Sequence, residues 1–321
     1  MKEVISVANP NFALIKYWGK ADSINNIPDM SSISMTIDTL KSLTKITLNK
    51  SMKKDVWLLN GIKQEKLGQS QPTIDYLRSF SNGNQSILIE SENNFPTAAG
   101  LASSASGIAS IVSGINNILD LKLSSEEKIK AAILGSGSAP RSLFPGFVHL
   151  DNSKEINCQT VLEPKEWPLK IVICLTSIEE KMISSRKGMK ISKLTSPYYS
   201  SWVNEQDKDI KKALKAIKNK DFLSLASVSE FNCNKMHRVM ETSDPPLLYR
   251  NEVTQNCIKQ INEIKMSGID IFYTIDAGPQ VKIICKPDDT DTVISKMKLV
   301  PNIHNIIEAG LGEGARIINE S

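Results

Sequence analysis

The sequence predicts an α+β chain folded in two halves, and three observations carry that expectation. The chain has 321 residues, 40% of them hydrophobic, which is ample for two domains or one large one. Short β-leaning runs dominate the first 60 or so residues, whereas helical periodicity dominates from about Pro197 to Met266. A proline-bounded connector, Pro164–Pro168, precedes an apolar run, Leu169–Leu175. We therefore expect an N-terminal domain over 1–167 and a C-terminal domain over 168–321.

Pro10 and Asn11 suggest a break after an initial strand, with a second short strand behind it. Ser31–Ile37 alternates polar and apolar residues with period two, as a half-buried strand does. Ser42–Leu48 and Asp55–Leu59 read the same way, and Asn60-Gly61 is a turn signal. Thr73–Phe80 reads as a short helix and Ser86–Glu90 as a strand. A helix follows from Ile108 to Leu119. Ser124 before Glu126 and Glu127 is a capping pattern for a helix reaching Leu134. Phe147–Leu150 and Ile156–Leu162 read as strands. In the second half, Lys181–Met189 is a polar stretch, and helical segments run from about Pro197 to Met240. Thr242–Pro246 is a turn, and Leu247–Met266 another helix. Two β runs flank Asp276-Ala277-Gly278-Pro279, and Asp291–Leu299 is a helix.

Composition narrows the function classes. A net charge of +4 on this length favours anionic ligands only weakly and does not suggest a nucleic-acid-coating protein. The basic run Lys208–Lys218 is amphipathic and reads as a solvated helix face. The N-terminus lacks a signal-peptide core, and no apolar run approaches ~20 residues, so no membrane span is expected. The five cysteines are dispersed, which fits buried free thiols in a reducing, cytoplasmic compartment. His149, His237 and His304 show no metal-site spacing.

Four stretches carry candidate chemistry. Asn93–Gly107 contains mostly small residues between a strand and a helix start. Its backbone N–H groups and the helix dipole suit a phosphate, and Ser103 and Ser104 add hydroxyl donors or a hold on magnesium. An Ala/Ser-rich helix packed tightly on a sheet is the alternative. Lys16, flanked by Leu14, Ile15, Tyr17 and Trp18, either lies at a strand edge in water or points into an anion site with Lys20. Gly135–Phe147 offers Ser136, Ser138 and Arg141, the last a planar fork for carboxylate or phosphate, or is a plain connector. Asp276 ends an apolar strand beside a Gly-Pro turn, as a turn-former or as a partly desolvated catalytic acid. Gly310–Gly314 mimics a dinucleotide fingerprint but lacks its spacing and the room for a crossover helix, so it is set aside.

In this order along the chain, Ala13–Lys20, Phe95–Ala105, Gly135–Ala139, Arg141–Phe144, Ser184–Arg186, Gly188-Met189, Met236-His237 and Asp276–Pro279 resemble the diphosphomevalonate decarboxylase family of the GHMP kinase superfamily. That resemblance implies a ribosomal-protein-S5-domain-2-like N-terminal half, a ferredoxin-like C-terminal half and an active site in the cleft between them. It implies ATP-dependent conversion of mevalonate 5-diphosphate to isopentenyl diphosphate, ADP, phosphate and CO2, by a homodimer that uses Mg2+.

The same resemblance assigns residues. Asp276, Lys16 and Arg141 would be catalytic. Tyr17, Lys20, Ser136, Ser138, Ser185, Arg186 and Met189 would bind the substrate. Ser91, Asn93, Pro96, Ala98, Ala99, Gly100, Leu101, Ser103 and Ser104 would bind ATP, with the metal on Ser104. The chain departs from the family pattern at Met30 and Gln280, where asparagine is usual, and at Pro140 and Pro145. Met30 is expected to remove a polar contact near the substrate mouth. The rival readings are a decarboxylase of the 5-monophosphate, a mevalonate 3-kinase without decarboxylation, and a non-catalytic sensor of isoprenoid phosphates.

Overall fold

A computed structural model describes residues 2–49, 52–65, 67–81, 86–96, 100–179 and 181–320. The first half begins with β1 (Lys2–Ala8), β2 (Asn11–Ile15), β3 (Lys20–Asp22), β4 (Ile27–Pro28), β5 (Ser32–Thr36) and β6 (Ser42–Asn49). A hairpin follows, β7 (Val56–Leu59) and β8 (Ile62–Lys63), turning at Asn60-Gly61 with both residues at positive φ. Then come α1 (Gln71–Arg78), β9 (Ser86–Asn93), α2 (Ser103–Ile118) and α3 (Ser125–Gly135). A 3-10 turn (Ala139–Leu143), β10 (Phe147–Asp151) and β11 (Asn157–Leu162) complete it.

The second half contains β12 (Lys170–Leu175), α4 (Ser185–Thr195), α5 (Tyr199–Lys218), α6 (Phe222–Glu241) and α7 (Glu252–Met266). It continues with β13 (Ile271–Ile275), β14 (Val281–Cys285), α8 (Thr290–Met297), β15 (Asn305–Gly310) and β16 (Arg316–Glu320).

Three main sheets organise these elements, in strand orders β16-β1-β6-β9-β7-β8, β11-β10-β5-β2 and β13-β14-β12-β15. The first is antiparallel except for the β7–β9 pair. Its last member comes from the far end of the described chain: β16 pairs with β1, from Val4↔Glu320 to Val7↔Arg316. The halves also share a core in which Phe12, Ile33, Phe147, Ile171, Phe272 and Ile284 pack as one cluster. A second cluster lies between the first sheet and α1, α2 and α3, and a third between the β12 sheet and the helices over it.

Several boundaries differ from the sequence expectation, each for a local reason. α2 starts at Ser103, five residues early, because Ala102 takes a left-handed conformation (φ 58°) that turns the chain directly into the helix. Part of the polar stretch after Lys181 is α4, capped by Ser184, whose side chain accepts from the Lys187 N–H. The long helical run is broken at Lys220 (φ 54°), and Asp221 caps α6 by accepting from the Ser224 N–H at 3.0 Å. α7 begins only at Glu252, where Asn251 and Thr254 form a reciprocal cap. Ser124 and Glu127 form the capping box of α3. β15 and β16 are absent from the sequence reading; Gly310–Gly314 joins them, and Gly312 exchanges backbone hydrogen bonds with Thr36 and Gly146. The five cysteines are free and buried. Among the described residues, no helix is long and apolar enough to cross a membrane.

Candidate active site

Lys16 follows β2 and is 1% exposed, so its head is not in water. Its backbone is fixed first. The Lys16 N–H donates to Asn232 Oδ1 at 2.7 Å, and Gln206 Nε2 donates to the Lys16 carbonyl at 2.6 Å. Asn232 Nδ2 donates to both Gln206 Oε1 and Asp209 Oδ2, and Lys235 pairs with Asp209. This buried network from α5 and α6 satisfies its members and leaves the Lys16 side chain one direction to take. Its Nζ donates to Asp276 Oδ1 at 2.7 Å and to the Ala13 carbonyl at 2.9 Å.

Asp276 leaves β13 at the Ala277-Gly278-Pro279 turn. Thr176 and Thr254 both donate to the Pro279 carbonyl, at 2.8 and 2.7 Å, which anchors the turn to β12 and α7. Gln280 completes the clamp: Oε1 accepts from the Thr176 N–H and Nε2 donates to the Ser177 carbonyl, each at 2.7 Å. Gln280 is therefore a buried staple with both ends of its amide occupied. Met30, expected at the substrate mouth, packs instead in a cluster with Trp18, Tyr199, Trp202 and Met236. It is 4% exposed and does not line the cavity, so apolar neighbours rather than substrate account for the residue type there.

A second lysine, overlooked in the sequence, completes the Asp276 site. Lys282 Nζ donates to Asp276 Oδ2 at 3.2 Å. Burial alone would raise the Asp276 carboxyl, but the Lys16 and Lys282 ammonium groups together outweigh it and hold the group below the usual carboxylate range. The Asp276 side chain keeps 25% exposure, toward the cavity it lines.

That cavity measures about 500 Å3. Its lining includes Lys16, Tyr17, Lys20, Ser136, Ser138 and Arg141, joined by Ser185, Arg186 and Met189 from α4. Arg141 is buried; its Nε donates to Asn11 Oδ1 at 2.9 Å and a terminal nitrogen donates to Ser32 Oγ. Asn11 also donates to Ser142 Oγ and the Ser138 carbonyl, so one asparagine orients the arginine and the serine loop. Tyr17 Oη is buried and has no hydrogen-bond partner among the described residues. Gly137 lies against it so closely that a Cβ would sit 2.5 Å from that oxygen. Lys20 bonds Asn26 Oδ1; burial, then Arg186 nearby, push its ammonium down to about 8. Lys181, also overlooked, donates to Ser185 Oγ at 2.7 Å and to the Ala277 carbonyl, and burial pushes it down to about 8.

The lining also includes Ser91 and Asn93 of β9, and Gly100, Ser103 and Ser104 at the start of α2. The N-cap residue of α2, Ala102, has no side chain that could cap the helix, and the helix start carries the positive end of the helix dipole toward the cavity. The tight-packing reading of this helix also holds: Ser110 and Ser6 are hydrogen-bonded between α2 and β1. Leu101 is buried in the shared core and Pro96 is half-buried, and neither lines the cavity. Ala98 and Ala99 lie outside the described residues. Among the described lining residues Asp276 is the only acid, against five cations: Lys16, Lys20, Lys181, Arg141 and Arg186. The modest net charge of the chain hides this excess, which suits a polyanion with several phosphates.

Residues 8–161 match a family model for the diphosphomevalonate decarboxylase-like N-terminal domain, and residues 171–314 match one for the mevalonate 5-diphosphate decarboxylase C-terminal domain. The chain belongs to the diphosphomevalonate decarboxylase family. A diphosphomevalonate decarboxylase of Candida albicans is 34% identical over 356 residues, covering 98% of each chain. That of Saccharomyces cerevisiae is 35% identical over 300 residues, 85% of this chain and 76% of the other. The solved structure of the Staphylococcus aureus mevalonate diphosphate decarboxylase superposes with a TM-score of 0.92 at 33% identity, over 99% of this chain and 98% of that one. A structure of MDDEF in complex with MVAPP, AMPPCP and magnesium gives a TM-score of 0.91 at 31% identity, over 99% of both chains. The fold is thus the two-domain GHMP kinase-like fold of these decarboxylases.

Proposed function

We propose that this family member catalyses ATP-dependent decarboxylation of (R)-5-diphosphomevalonate to isopentenyl diphosphate, ADP, phosphate and CO2. The observation that carries the reading is Asp276. It is a carboxylate held ionised between two ammonium groups, in a cation-lined cavity that also holds Arg141 and the start of α2.

The α2 start, with Ser91, Asn93, Ala98, Ala99, Gly100, Ser103 and Ser104, binds the ATP triphosphate, while Pro96 and Leu101, which do not line the cavity, shape the segment behind it. Tyr17, Lys20, Ser185 and Arg186 bind the substrate diphosphate, with the Tyr17 hydroxyl, unpartnered among the described residues, as a donor, and Met189 packs against the substrate. Arg141, with Ser136 and Ser138, grips the substrate carboxylate and aligns the C–C bond that breaks. Asp276 takes the proton of the 3-hydroxyl as that oxygen bonds the γ-phosphorus and the bond to ADP breaks. A carboxylate held so low is a weak base, which suits a loose transfer in which the proton leaves late. Lys16 faces the charge developing on the transferred group. The C3–O bond to phosphate then breaks, and the electrons of the carboxylate C–C bond form the new double bond as CO2 leaves.

Ser104 fits a magnesium ion carried on the phosphates: its side chain is exposed at the first turn of α2 and lines the cavity. Bound there, Mg2+ would neutralise phosphate charge. We further propose functional halves of 1–167 and 168–321, a homodimeric state and a cytoplasmic location.

The test supplies ATP and magnesium with mevalonate, its 5-phosphate or its 5-diphosphate, and measures ADP and CO2 separately. We expect both products from the diphosphate. ADP without CO2 would leave a kinase, and CO2 from the monophosphate alone would change the substrate.

A further inference from the structure

Lys282 sits in β14 among Val281, Ile283 and Ile284 and is 0% exposed. A buried ammonium is costly unless it is paired and hydrogen-bonded, so such a lysine needs a reason. Its contacts point two ways. One is to Asp276 Oδ2 at 3.2 Å; the other is to the carbonyl of Gly100 at 3.0 Å, with the Phe12 ring centroid 4.8 Å from Nζ. Gly100 belongs to the segment that enters α2, and it is also where that segment touches the Asp276 turn. A Cβ at Gly100 would lie 2.9 Å from Gly278 Cα, and its φ is +85°. Lys282 thus ties together, with one ammonium, the loop assigned to ATP and the acid assigned to the 3-hydroxyl.

We propose that Lys282 is a positioning residue that couples the placement of the phosphate loop to the orientation of Asp276. By holding Oδ2 it leaves Oδ1 beside Lys16, and by holding the Gly100 carbonyl it fixes the loop against the turn. The inference rests on the functional reading above. The charged and titratable groups around this pair come from several elements: Lys16 after β2, Lys181 after β12, Arg141 from the 3-10 turn, and Cys233 and His237 from α6. The histidine stays neutral, pushed down to about 3 chiefly by burial. Lys16 and Lys282 are the cations bonded to the carboxylate, so losing one raises Asp276 toward its ordinary value.

The experiment compares wild type with Lys282→Met, which keeps the length of the side chain and removes its charge. We expect kcat to fall about 100-fold. The acid limb of kcat/KM should move up by about one pH unit. KM for ATP should rise more than KM for mevalonate diphosphate. An unmoved acid limb with kcat within about twofold of wild type overturns the proposal. Should Lys282→Met not fold, Lys282→Gln is read in the same way. If wild type yields neither ADP nor CO2, the functional reading fails. The coupling is then read on binding of a non-hydrolysable ATP analogue, which Lys282→Met weakens about tenfold and which, if unchanged, overturns the proposal.

Discussion

Asp276 is flanked so closely by positive charge that its role can be separated from its effect on the fold. Replacing it by asparagine keeps the shape and removes the charge. Asp276→Asn is expected to abolish CO2 and ADP release, by at least about 1000-fold, while ATP-analogue affinity by calorimetry stays near wild type; lost affinity would assign it a structural role. A second prediction concerns Lys20 and Lys181, both pushed from 10.5 to about 8. In the free enzyme their charge is lost as pH rises through 8, so KM for the diphosphate should climb above that pH. For stability the sign is opposite: the folded state binds fewer protons than the unfolded one between pH 8 and 10.5. These two groups therefore destabilise the ligand-free fold fully below pH 8, and the penalty fades as pH rises toward 10.5. Denaturant melts of the free enzyme across that window check the sign.

At the scale of elements, the site depends on where strands and helices end. α2 matters for its start at the cavity, β13 for the turn behind it, and α5 and α6 for the amides that fix Lys16. Gly100 is where two of these ends meet. Gly100→Ala places a Cβ 2.9 Å from Gly278 Cα on a backbone at positive φ. The left-handed conformation alone costs about 1–2 kcal/mol for a residue with a Cβ. The loop is expected to move rather than stay strained, raising KM for ATP about tenfold with a smaller change in KM for the diphosphate. Steady-state kinetics with each substrate varied in turn would show the split, and equal changes in both would count against this placement of the loop.

For the whole molecule, the two halves share one core and exchange β16, so they should unfold together. Phe272 belongs to the second half but packs in the cluster that holds Phe12 and Phe147. Phe272→Ala is expected to cost about 3–5 kcal/mol in a single denaturant transition, reported alike by far-UV circular dichroism and by tryptophan fluorescence; two separated transitions would contradict a shared core. Much of this architecture was legible in the chain. Period-two alternation marked β5 and β6, Ser124 with Glu127 marked the start of α3, and a run of small residues marked the segment that enters α2, because each is a local signal of backbone geometry. Asp276, Lys16 and Arg141 were legible as candidates through residue type and neighbours. Lys282 and Lys181 were not, since a lysine in a strand or a polar loop looks like surface until burial is known. Met30 and Gln280 looked like changes to the site for the same reason. The residue types of the site and the order of most elements can be read along the chain. Which of them meet depends on packing, because Lys16 and Asp276 are 260 residues apart along the chain and 2.7 Å apart in the fold, and the pairing that sets the charge of the carboxylate exists only after the sheets have packed.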